Sequence, residues 1–145
     1  MFQIHSLYSD LKPLPALNIQ TISTDATTVG NVIDTKNYGR IQLGMFMGTM
    51  TDGDYELTIY EDEAVGMGGE AVVPADRIVG TRPDMEDHTA EDDTIEWCEI
   101  VNTLRYVRVK VVSTNTSSGA TLGVFAILGA AEHGPVTTAE ASQVP

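Results

Sequence analysis

The residues with the most evident chemical potential lie between Asp84 and Asp93, in the run DMEDHTAEDD. Carboxylates are hard oxygen donors, and His88 sits among them. A calcium ion takes roughly six to eight oxygen ligands from a shaped loop, and a transition metal would recruit His88. The spacing matches no EF-hand loop. A solvated acidic loop is the simpler expectation, a calcium site the sharper one.

Nucleophilic and acid–base chemistry find less support. Cys98 is the single cysteine. It falls in an expected strand, where a thiol serves as a small buried hydrophobe, and no internal disulfide can form. The three histidines, His5, His88 and His133, lie far apart in the chain. A Cys98 nucleophile would need one of them beside it. No phosphate-cradling or dinucleotide-binding glycine pattern occurs, and the glycines from Gly66 to Gly69 are too loosely patterned to count. The expectation is a protein that is not an enzyme, with no cofactor and no metal site.

These residues must be positioned by strands. Arg105 to Thr114 places Val107, Val109 and Val111 on one face and Tyr106, Arg108 and Lys110 on the other, the period of two of a half-buried strand. Thr121 to Leu128 reads as a second strand, with turn formers from Asn115 to Gly119 between them. The two are expected to form a hairpin. Arg40 to Met50 alternates likewise, with Ile41, Leu43, Met45 and Met47 on one side and Gln42, Gly44, Phe46 and Gly48 on the other. Its methionines are expected to fill the core. Asp52-Gly53 suits a tight turn, so Asp54 to Glu61 is expected as the antiparallel neighbour of that strand.

Further strands are expected at Ala16 to Thr24, Val29 to Asp34 and Asp93 to Val101, with turns at Asp25 to Thr28 and Thr35 to Gly39. In Asp93 to Val101, Ile95, Trp97 and Val101 share one face and Cys98 and Ile100 the other. Glu63 to Thr94 is irregular, with short strands conceivable at Val72 to Val73 and Arg77 to Val79. Seven or eight short strands without a long helix predict an all-β chain: one β-sandwich, jelly-roll or immunoglobulin-like, with jelly-roll preferred. The sandwich is expected over residues 16–130, flanked by an N-terminal arm, 1–15, and an extended C-terminal tail, 131–145.

The arm is apolar. Phe2, Ile4, Leu7, Tyr8, Leu11 and Leu14 crowd it, and Pro13 and Pro15 oppose helix and ladder bonding. An apolar terminus must be covered, either on its own domain or on a neighbouring subunit or partner. Those six residues are the candidate interface.

At 145 residues the chain holds about one domain. Its 21 acidic and 8 basic residues give a net charge of −13, which would repel nucleic acid and anionic membranes. The start resembles no signal peptide, and no apolar run approaches a membrane span of about 20 residues. Synthesis in cytoplasm is the expectation.

The stretch Leu104 to Pro135 resembles the C-terminal signature of tailed-bacteriophage head decoration, or capsid cement, proteins. The matching parts are Arg105 to Val109 (RYVRV), the polar turn Ser113 to Thr121, the apolar strand Val124 to Gly129 and the closing Glu132 to Pro135. The first hundred or so residues are similar in style only. The resemblance implies a virion component on the outer surface of the capsid, bound to the major capsid protein, commonly a homotrimer bridging capsomers at local three-fold axes. Other expectations stay open: a tail- or fibre-associated phage β-sandwich, or a secreted calcium-dependent binding module using Asp84 to Asp93.

Overall fold

The computed structural model describes residues 6–131, which form eleven strands, a single helical turn and a 3-10 turn. The helical turn, α1, spans Leu7–Asp10. The strands are β1 (Lys12–Ile22), β2 (Ala26–Val29), β3 (Ile33–Asp34), β4 (Tyr38–Met50), β5 (Asp54–Asp62), β6 (Ala71–Val72), β7 (Ile78–Gly80), β8 (Asp84–Met85), β9 (Ile95–Val101), β10 (Tyr106–Thr114) and β11 (Ala120–Ala131). They make two antiparallel sheets. One has the order β1-β11-β4-β9-β7; the other runs β2-β10-β5-β6, with β3 on β10 and β8 on β5.

The first strand pairs with the last in one sheet, while the second pairs with the penultimate in the other. This is the winding of a jelly roll, and it corrects both expected hairpins. β10 and β11 lie in opposite sheets, as do β4 and β5. Their connections are arches across the sandwich rather than turns within a sheet. The alternation was read correctly, but both strands of each pair bury one face, and two such faces are covered equally well by stacking opposite one another as by lying side by side.

The two arches hold each other. The Asp52 carboxylate accepts from the Ser117 hydroxyl at 2.6 Å and from the Ser118 and Gly119 amides at 2.9 and 2.8 Å. Those donors, the Ser117 hydroxyl first, hold its carboxyl far below the usual carboxylate range. Tyr55 donates from its phenol to the Asp52 carbonyl at 2.8 Å, and Asn115 donates to Asp54 at 2.6 Å. Gly119, at φ 90°, lies so near the Ile22 carbonyl that a Cβ would stand 2.0 Å from its oxygen. At the opposite end Arg77 joins the sheets, pairing with buried Glu61 of β5 and donating to the Val101 carbonyl of β9 at 3.2 Å.

Other boundaries also shift. β1 begins at Lys12 and includes Pro13 and Pro15. Prolines are tolerated there because β1 is an edge strand, where a missing N–H costs no ladder bond. Ala26 to Thr28, expected within the turn Asp25 to Thr28, form β2 together with Val29, and the rest of the expected strand Val29 to Asp34 shrinks to β3. Between them the chain crosses the gap between the sheets: Gly30 donates to Val109 and Asn31 to Ala16, at 2.9 and 2.7 Å.

The core lies between the sheets. Ile41, Leu43, Met45 and Met47 of β4, Leu57 and Ile59 of β5, Cys98 and Ile100 of β9, Val107, Val109 and Val111 of β10, and Leu122, Ala126 and Leu128 of β11 are all buried. The methionines of β4 fill the core as expected. The expected tail lies outside the described residues beyond Ala131, as do Phe2, Ile4, His5 and His133.

Candidate interaction face

The acidic run does not converge on a vacant site. Asp92 accepts from the Met50 amide at 2.6 Å, Asp87 from the Thr89 amide and hydroxyl at 2.9 and 2.6 Å, and Glu91 from the Asp87 amide at 2.7 Å. These carboxylates are occupied in shaping the loop and fixing it to β4. Among the described residues no group of three or more His, Cys, Asp or Glu side chains is placed to hold a metal ion. Cys98 is buried in the core, where burial pushes its thiol up to about 11, so it is no ready nucleophile.

The outer side of the five-stranded sheet is a different surface. Register places its side chains in rows across the strands. Pro15 of β1 stands opposite Phe125 of β11, then Gly44 of β4, then Trp97 of β9. In the adjacent row Gly123 of β11 stands opposite Phe46 of β4, then Ile95 of β9. Trp97 is 58% exposed, Phe46 45% and Ile19 73%. Four strands about 4.8 Å apart make this apolar band about 15 Å wide.

Glycines create its shape. A Cβ on Gly44 would lie 2.1 Å from the Phe125 ring, so the ring occupies the space over Gly44 only because position 44 has no side chain. A Cβ on Gly123 would meet Ile19 at 2.8 Å. The result is a groove of about 630 Å³ along β1 and β11, lined by Pro13, Pro15, Ile19, Phe46 and Phe125 among others, with no charged residue in its wall. Farther along the face the surface turns polar, with Arg40 and Glu99 in an ion pair at 3.5 Å.

The candidate arm residues divide. Leu7 and Tyr8 on α1 are 78% and 95% exposed. Leu11 lies over Gly129, within 3.1 Å of where its Cβ would be, and Leu14 packs against the core from β1. The sequence reading did not single out Ile19, Phe46, Ile95 or Trp97 as interface residues. A signal was present: β4 and β9 carry large apolar side chains on both faces, more than a sheet with one solvated side requires.

Most of the basic residues are engaged in ion pairs. Arg40, Arg77, Arg82, Arg105, Arg108 and Lys110, six of the eight, each pair with a carboxylate. With 21 acidic residues against those 8, the field around the molecule is negative. No helix among the described residues is long and apolar enough to cross a membrane.

No protein-family model and no curated protein matches the chain. Among solved structures, a chain in the structure of infectious bursal disease virus, Gx strain, is similar over 81% of this chain and 32% of its own, with 10% identity and a TM-score of 0.43. This chain thus spans about a third of the one it resembles, and a likeness at that level carries no argument about function.

Proposed function

We propose that the protein is a structural component of a bacteriophage virion: a head decoration protein that binds the outer surface of the capsid and stabilises it by bridging neighbouring capsomers. The observation that carries this reading is the apolar band of Phe46, Ile95, Trp97 and Phe125 on one outer face. Large exposed apolar patches mark interaction surfaces, and aromatic anchors dominate binding energy. The RYVRV strand, Arg105 to Val109, and the apolar strand Val124 to Gly129 add the resemblance to decoration proteins.

The work is mechanical rather than catalytic. Packed DNA pushes the shell outward, and a protein clamped across capsomer seams opposes their separation. In a homotrimer, modest contacts repeated around the axis multiply into avidity. The partners are the major capsid protein and other copies of this chain. A net charge of −13 suits an exterior, DNA-free place and neither nucleic acid nor an anionic membrane as partner.

Heads stripped of the protein are expected to fall apart at lower temperature than complete heads, and re-addition should restore them. Trp97→Asp, at an exposed position, is expected to weaken re-addition strongly without altering the melting of the free protein. Equal heat resistance of stripped and complete heads would overturn the reading.

A further inference from the structure

The groove along β1 and the arm that precedes α1 are chemically matched. The groove wall contains no charged residue. Met1 to His5 brings Phe2 and Ile4, and the first acidic residue of the chain is Asp10. In a molecule of net charge −13 this segment brings no carboxylate to oppose its approach to another copy. Five residues reach at most about 17 Å, enough to lay two apolar side chains along a groove of this size.

The root of the arm is extended: Ser6 has φ −109° and ψ 135° as the chain enters α1. Leu7 and Tyr8 project into solvent beside it. Passing to a neighbour offers them a surface to cover. Strand addition to β1 is opposed, because Asn31 donates from its amide to the Ala16 carbonyl at 2.7 Å and from its side chain to the Pro15 carbonyl at 3.0 Å. Side-chain docking remains open.

We propose that the groove lined by Pro13, Pro15, Ile19, Phe46 and Phe125 receives Phe2 and Ile4 of a second copy of this chain. This rests on the reading of the outer face as an assembly surface. It divides that face: the β1 side takes the neighbour's arm, and the β9 side around Trp97 and Ile95 stays free for the capsid. Neighbouring copies are thereby linked by exchanged arms.

Two full-length chains test it, one carrying Ile4→Cys and the other Phe46→Cys, with tags of different size, mixed and mildly oxidised. Cys98 is buried and stays unreactive in the folded protein. The expected product is a disulfide between unlike chains, in excess over either like pair. A chain carrying both substitutions that closes only on itself when dilute would overturn the proposal, as would the absence of any bond between the two introduced thiols. In parallel, Ile19→Asp is expected to weaken self-association at least tenfold by sedimentation, with melting monitored to establish folding. Unchanged association would also overturn it. Head binding is scored separately with Trp97→Asp. A chain that exchanges arms but never binds heads would defeat the proposed function and leave the arm exchange standing.

Discussion

The two outer faces of the sandwich are built from strands with the same alternation, yet they meet solvent differently. On the β10–β5 side, Glu70 pairs with both Arg108 and Lys110, Arg82 with Glu56, and Lys110 sits 4.3 Å from the centre of the Tyr60 ring. On the β11–β4 side, the same outward positions hold Phe125, Phe46, Ile95 and Trp97 over glycines. The first face is largely finished: its basic side chains are paired with carboxylates within the molecule. The second leaves aromatic surface in water, where any group that covered it would gain hydrophobic free energy. A polar, ion-paired face offers no such gain, which makes the apolar face the candidate for binding.

The largest effect expected from this contrast is on binding. Trp97→Asp or Ile95→Asp should weaken attachment to heads by about 2 kcal/mol or more, roughly thirtyfold, in a co-sedimentation isotherm. Thr58→Asp on the opposite face should leave that isotherm unchanged. Equal losses from both faces would break the comparison.

Next comes the packing that shapes the apolar face. Gly44→Val drives a side chain into the space of the Phe125 ring. The expected cost is about 1–3 kcal/mol, seen as a lower urea midpoint, and binding should weaken with it because Trp97 and Phe125 flank the same position.

A smaller loss is expected on the charged face. Glu70→Gln leaves Arg108 and Lys110, both largely covered, without their shared carboxylate. The expected cost is about 1 kcal/mol, with head binding unaffected at constant salt.

The smallest effect is on pH dependence, where two carboxyls act in opposite senses. The Arg105 hydrogen bonds hold Asp34 at about 2. A depressed carboxyl stabilises the fold above its ordinary value near 3.8 and loses that contribution as pH falls through about 2. Asp34→Asn should therefore flatten acid unfolding between those values. Burial pushes Glu96 up, beside the carboxyls of Glu91 and Asp84. A raised carboxyl favours the fold below its ordinary value of 4.5 and loses that contribution as pH rises through the raised one. Glu96→Gln should then raise the melting temperature slightly at neutral pH and not at pH 4. A lower melting temperature at neutral pH would contradict that sign.

How much was legible can be read from particular strands. Val107, Val109 and Val111, and Ile41, Leu43, Met45 and Met47, alternate so regularly that strand and buried face follow from spacing alone. The all-β sandwich follows in turn from strand count and the lack of a helical period. The residues of the interaction face were visible as alternation, but not their grouping: Phe46, Ile95 and Phe125 are far apart in the chain, and only register brings them into adjacent rows. The arm drew attention because an apolar terminus is conspicuous in one dimension.

What the sequence determined by itself was local: where the chain extends, which side chains alternate, and that acidic excess would govern the surface. What only the tertiary structure decided was pairing. Asp52 with Gly53, and Asn115 to Gly119, look like hairpin turns because turn residues favour a reversal without specifying which sheet receives the next strand. The clasp between Asp52 and residues 117–119 joins arches more than sixty residues apart. Sequential neighbours thus lie in opposite sheets, and β1 lies beside β11. That long-range pairing assembles the apolar face, because a sheet's outer surface belongs to whichever strands lie side by side, not to those that follow one another along the chain.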